Sequence, residues 1–110
     1  MNGRQEKTYP IFLADGDMIR VRWTSVRGQI IAFTVQLEVL VDGQFYSTER
    51  YDSAHGRAHR DTLDWHGRPI RGRKHWLPES MSFNEALTFA QDDFKVNAAA
   101  YRSAFLRRRR

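Results

Sequence analysis

The chain has 110 residues, 41% of them hydrophobic and 13% aromatic, with 18 Lys+Arg against 13 Asp+Glu and a formal charge of +5. That length suits one domain with one core, and the apolar content excludes a disordered chain. No run of about 18 apolar residues exists, which excludes a membrane-spanning helix, and zero cysteines exclude disulfides, thiolate ligands and a thiol nucleophile, as suits a reducing cytoplasm.

Residues 1–8 are polar, lack the apolar core of a secretory signal and read as a flexible N-terminus. Tyr9–Leu13 is a short apolar segment closed by the turn residues Asp15-Gly16-Asp17. Over Met18–Thr24, Ile19, Val21 and Trp23 alternate with Arg20 and Arg22, which predicts a half-buried strand. Ser25–Gly28 turns the chain. The strongest strand pattern is Ile31–Val41, with Ile31, Phe33, Val35, Leu37, Val39 and Val41 on one face and Thr34, Gln36 and Glu38 opposite. It ends at Asp42-Gly43, a type I′ hairpin signal, and Gln44–Asp52 returns. A two-residue turn pairs Val41 with Gln44, hence Val39 with Tyr46, Leu37 with Thr48, Val35 with Arg50 and Phe33 with Asp52. That register would set Arg50 and Asp52 on the apolar face, where bare charges are costly. Either a bulge shifts the register or the face opens into a polar pocket there. The pocket is the preferred expectation, because the histidine-rich stretch begins at that end.

Gly56 permits a sharp turn, after which His59–Leu63 reads as a further strand, with His59, Asp61 and Leu63 on one face. Trp65–Pro69 is a turn, and Ile70–Leu77 reads as either a ragged strand or a basic loop. Ser82-Phe83-Asn84-Glu85 has the capping-box pattern. From there Phe83, Leu87, Ala90, Phe94, Asn97, Tyr101 and Phe105 recur at helical spacing, predicting a helix to about Leu106, roughly 36 Å long. The expected architecture is a single α+β domain over residues 1–110: an antiparallel meander sheet of four to five strands, one long C-terminal helix packed across it, and a basic tail at residues 107–110. The far end of the helical stripe also offers a face for a homodimer.

The chemistry is concentrated in Arg50–Asp61, which holds two histidines, two aspartates and three arginines. On RNA the 2′-hydroxyl can act as the nucleophile, so a metal-free ribonuclease needs only an acid, a base and a cation on the phosphate. His55 and His59 suit the acid and base roles, Asp52 or Asp61 can orient an imidazole, and Arg50 with Arg57 or Arg60 can grip the phosphate. Arg71, Arg73 and Lys74 extend the basic stretch, so nucleic acid, RNA in particular, is the expected partner rather than a membrane. No H-E-x-x-H motif is present and no metal or other cofactor is assigned, although Asp52, His55, His59 and Asp61 are residue types that could converge on a divalent ion such as Zn, Mn or Ni. Two other readings stay open. The charged residues can be ion pairs that only shape the hairpin, or Tyr46, Tyr51, Trp65 and Trp76 can interleave with arginines to stack bases without catalysis.

The pattern Arg50-Tyr51-Asp52-x-Ala54-His55-Gly56-x-x-His59-Arg60-Asp61, followed by Glu85-Ala86-Leu87 and Tyr101-Arg102, resembles a family of small prokaryotic proteins with an R-Y-D-x-A-H-G-x-x-H-x-D core. The likeness runs from about Phe33 to Arg102. More distantly, the chain is similar to the TumE family, toxins of toxin–antitoxin modules, whose motif is R-Y-D followed by a glycine and a short His-x-His. The Ala54-His55-Gly56 insertion and the His59-x-Asp61 ending depart from that motif. The resemblance implies a cytoplasmic, toxin-like RNA-binding protein, a ribonuclease through Asp52, His55, His59 and Asp61, with an antitoxin or other protein partner. The alternative it leaves is a non-catalytic nucleic-acid- or protein-binding module of a toxin–antitoxin or phage-conflict system.

Overall fold

The computed structural model describes residues 3–108. Six strands and one helix follow one another: β1 (Arg4–Phe12), β2 (Met18–Val26), β3 (Gln29–Val41), β4 (Gln44–Asp52), β5 (His59–Leu63), β6 (Pro69–Trp76) and α1 (Phe83–Arg107). The sheet order is β1-β2-β3-β4-β5-β6, and every neighbouring pair is antiparallel. The α+β meander with one C-terminal helix is therefore as expected, with six strands in place of four to five.

The difference lies at the two sheet edges. Residues 4–8, part of the stretch 1–8 expected to be flexible, extend the apolar segment into a nine-residue strand that pairs from Arg4 with Val26 to Phe12 with Met18. Pro69–Trp76 resolves as β6, which is exposed along nearly all its length. Neither strand buries a full face, so neither shows the period-2 alternation by which a strand is read from sequence. Their hydrogen-bonding partners, not their side chains, make them strands.

The core lies between one sheet face and α1. Ile19, Val21, Phe33, Val35, Leu37, Val39 and Tyr51 meet Ala86, Leu87, Ala90, Phe94 and Phe105 of the helix. Tyr46, Trp65 and Phe105 close one end, with the Trp65 and Phe105 rings stacked 4.1 Å apart and the indole N–H of Trp65 donating to the Phe105 carbonyl. Asn84 fixes the other end, donating to the Gly28 carbonyl and accepting from the Ile30 amide.

The expected capping box is present. The Ser82 hydroxyl accepts from the Glu85 amide at 3.1 Å, and the Glu85 carboxylate accepts from the Ser82 amide at 2.9 Å. The Ser82 amide, and then the Ser82 hydroxyl, hold the Glu85 carboxyl below its usual range. Ser82→Ala is expected to lower stability by about 0.5–2 kcal/mol, measured by denaturant unfolding, with the helix start left unsatisfied.

The β3–β4 hairpin begins in the expected register, through Asp42 and Gly43, both with positive φ as a type I′ turn requires. Val41 pairs with Gln44 and Val39 with Tyr46, but the register then shifts between Leu37 and Glu38. Leu37 opposes Glu49, Val35 opposes Tyr51 and Thr34 opposes Asp52, instead of the expected Thr48, Arg50 and Phe33 partnerships. The bulge, not an inner-face pocket, resolves the conflict. Tyr51 turns in to the core, and Arg50 and Asp52 move to the sheet face away from the helix. A second irregularity between Thr24 and Ser25 pairs Ser25 with Ile30 and leaves Ile31 exposed rather than on the apolar stripe.

Arg108, expected within a basic tail, folds back and donates to the Thr48 hydroxyl and the Leu63 carbonyl. The tail residues Arg109 and Arg110 and the N-terminal Met1 and Asn2 lie outside the described residues. Among the described residues, no helix is long and apolar enough to cross a membrane.

Candidate functional site

The register of β4, β5 and β6 assembles the site. Asp52 pairs with His59, Arg50 with Asp61, Asp61 with Lys74 and His59 with Trp76. All six side chains thus project from the face opposite α1, since cross-strand partners share a face. At its centre His59 is 2% exposed. Its Nε2 lies 3.2 Å from Asp52 Oδ1 and 3.4 Å from Asp61 Oδ2, while Nδ1 is 3.0 Å from the Arg57 carbonyl oxygen. One ligand-type atom from each of Asp52, His59 and Asp61 lies within 4.8 Å of the others, a set able to hold a metal ion.

Around this centre the partners are cationic and aromatic. Lys74 Nζ is 3.4 Å from Asp61 Oδ1. The Trp76 ring lies 5.1 Å from the His59 ring and is approached by the Arg57 guanidinium at 5.3 Å and the Lys74 ammonium at 5.4 Å. Asp52 also accepts the Ala54 amide at 2.8 Å, which fixes its carboxylate at the start of the β4–β5 turn. A surface cleft opens beside it, lined by Arg22, Thr34, Asp52 and Ser53 among others.

The same face carries a polar lattice toward β2. Arg50 Nε donates to Gln36, Gln36 donates to Glu38, and Arg20 Nε donates to the same Glu38 oxygen, each at 2.9 Å. Burial of the Glu38 carboxylate under these donors leaves a sheet face that is ordered, polar and not covered by a second layer.

The expected site residues therefore separate. Asp52, His59 and Asp61 converge, and Arg50 joins their face. His55 does not join them: it is exposed on the Ala54–Gly56 turn with φ 66°. Arg60 points to the helix face instead, where it pairs with Glu49 and lies over the Tyr51 and Tyr101 rings, so it is committed to the fold. Arg57 flanks Trp76 and donates to the Leu77 carbonyl and to Glu79. Arg71, Arg73 and Lys74 are exposed on β6, with Lys74 on the cluster's face. His66 is exposed on a turn, and His75, also exposed, is held below its usual pKa by partial burial and by Arg60 and Arg73.

A second polar group, beneath the sheet, was not legible in the sequence. The Glu49 carboxylate accepts from Arg60 and from Thr62, with Arg108 nearby, and burial pushes its pKa up against these partners. Asp93 accepts from both the Tyr51 and the Tyr101 hydroxyls, and burial with that carboxylate raises both tyrosine pKa values. The only available signal was indirect: a bulge in β4 brings Glu49 inward, and nothing in the residue pattern fixes where that bulge falls.

No curated protein and no solved structure matches the chain. The cluster strands β4 to β6 and the helix that braces them are nonetheless covered together by one family profile. Matched over residues 3–110 by the domain of unknown function DUF7718, the chain belongs to that family.

Proposed function

We propose that the protein binds single-stranded RNA on the uncovered face of its sheet, along β5 and β6, without itself being an acid–base ribonuclease. The observation that carries this reading is Trp76. Trp76 is 50% exposed, and two cations, Arg57 and Lys74, approach its ring to 5.3 and 5.4 Å. An indole in that setting is a platform for an unpaired base, with the flanking cations placed for the adjoining phosphates. Arginine and lysine on an edge strand also discourage edge-to-edge pairing, but that protection does not call for an exposed tryptophan. RNA is favoured because its loops and bulges offer unstacked bases for such a platform.

The ribonuclease reading has less support. Both ring nitrogens of His59 face partners within the fold, and His55 lies outside the cluster, so the two histidines do not form an acid–base pair on a shared phosphate. The toxin reading rests on sequence resemblance alone.

Fluorescence anisotropy with a labelled single-stranded RNA tests the proposal, with a duplex RNA and a single-stranded DNA alongside. Trp76→Ala is expected to weaken RNA binding by about 1–3 kcal/mol, roughly 5- to 150-fold, with Trp76→Phe retaining most of the affinity. Unchanged affinity in Trp76→Ala, or equal affinity for the duplex, would remove the basis for the proposal.

A further inference from the structure

We infer that Asp52, His59 and Asp61 bind one divalent transition-metal cation of the Mn2+ or Zn2+ kind, through His59 Nε2 and one oxygen of each carboxylate. The inference is independent of RNA binding and concerns the centre of the cluster rather than its aromatic rim.

The tautomer of His59 is set by its other nitrogen. A carbonyl oxygen can only accept, so Nδ1 carries a hydrogen and donates to the Arg57 carbonyl at 3.0 Å. On a neutral ring Nε2 then presents a lone pair, and it presents it to two carboxylate oxygens at 3.2 and 3.4 Å. In that tautomer three electron-pair donors, two of them on residues less than 9% exposed, face one another, the Asp52 oxygen also accepting the Ala54 amide. A buried acceptor left in that state is costly, and a cation between the three removes the cost.

Two of the three donor separations fit a metal. With bonds of about 2.1 Å, donor atoms stand roughly 3.0 Å apart at octahedral angles and roughly 3.4 Å apart at tetrahedral ones. The two observed separations fall within that interval, and all three donors lie within 4.8 Å of one another. The N–H of Nδ1 donated to a backbone carbonyl is the second contact that orients a metal-bound imidazole. One nitrogen and two carboxylate oxygens favour Mn2+ or Zn2+ over Ca2+ or Mg2+, which take oxygen ligands, and over ions that need thiolates.

The surroundings leave room for the ion. Asp52 is the most accessible of the three, its side chain 19% exposed, and it also lines the cleft beside Arg22 and Ser53, so further coordination positions open toward water. Lys74 engages Asp61 through Oδ1, the oxygen turned away from His59, and Arg50 is drawn off by Gln36. The competing occupant of the gap is a proton on Nε2, which would make His59 an imidazolium paired with both carboxylates.

The test uses protein stripped with EDTA and titrated near neutral pH with Mn2+, followed by electron paramagnetic resonance, and with Zn2+, followed by calorimetry. The expected result is one saturable site per chain. Asp52→Asn and Asp61→Asn should each weaken it by at least about tenfold, since even second contacts to a metal ligand are worth 10- to 100-fold. A His55→Ala/His66→Ala/His75→Ala variant should bind as the wild type does. If Asp61→Asn fails to fold by circular dichroism, the more accessible Asp52→Asn carries the comparison, together with the nitrogen resonances of His59 in the wild type. Absence of saturable binding up to millimolar ion, undiminished affinity in Asp52→Asn, or a proton retained on His59 Nε2 in the presence of excess Zn2+ would each overturn the inference.

Discussion

Glu49→Ala is expected to destabilise the protein by about 3–5 kcal/mol, the largest loss of any single charged side chain among the described residues. Glu49 is 2% exposed and accepts from Arg60 and Thr62. Removing it leaves the half-buried Arg60 guanidinium without its carboxylate, and leaves a hydroxyl and the nearby Arg108 beneath the sheet with a hole between them. The favourable contacts of Arg60 with the Tyr51 and Tyr101 rings survive but cannot replace a desolvated counter-charge. Thermal unfolding should show a fall in Tm of more than about 10 °C. Glu49→Gln keeps an acceptor oxygen for Arg60 and should lose less. Equal losses for alanine and glutamine would mean that the charge of Glu49 carries the whole contribution and its shape none.

Phe94→Ala is the second large loss, about 3–5 kcal/mol by denaturant unfolding. Phe94 is fully buried at the middle of α1, with the Tyr51 ring 5.2 Å away and the Tyr101 ring 5.6 Å away. Both tyrosines are tethered to Asp93, so neither can swing into the space left by the missing ring without giving up a hydrogen bond. A cavity that cannot collapse carries the full penalty. Phe94→Leu fills much of the volume and should cost less. A loss under about 1 kcal/mol for the alanine variant would mean that the tyrosines do move and that the Asp93 tether is weak.

How much of this was written in the sequence depends on how each element earns its place. The β2, β3 and α1 patterns are legible because each buries one face, and Ile19, Val21, Val35, Leu37, Val39, Leu87, Ala90 and Phe94 are where alternation and helical spacing put them. Strands β1 and β6 are edges, exposed on most positions, and their identity comes from a neighbour's free hydrogen bonds rather than from their own residues. The β3–β4 register is legible for the four residues nearest the Asp42-Gly43 turn and then fails at the Leu37–Glu38 shift. A bulge costs one residue and leaves no compositional mark. That single shift exchanges Tyr51 for Arg50 on the core face.

The candidate site was legible in part for the same reason. Alternation along His59-Arg60-Asp61 places His59 and Asp61 together, and the cross-strand partnership with Asp52 supplies the third member. His55 looked equivalent by spacing, but the positive φ values of His55 and Gly56 form a tight turn that holds it out in solvent. Arg60 looked like a phosphate grip because its partner, Glu49, lies eleven residues away on a strand whose register could not be foreseen.

The order of the strands bears on how the molecule is made. Each strand is bonded to its neighbour in sequence, and the connections between strands are two to six residues long. The entropy of closing such loops is small, so the sheet can zip from any hairpin without waiting for a distant segment. Docking of α1 is the long-range event, joining Arg102 to Asp17 and Gln91 to Tyr9 across more than eighty residues. During synthesis the six strands emerge before the helix that covers them. Until α1 follows, the stripe from Ile19 to Tyr51 faces water, and that interval is when the nascent chain is most exposed to sticking to another copy of itself.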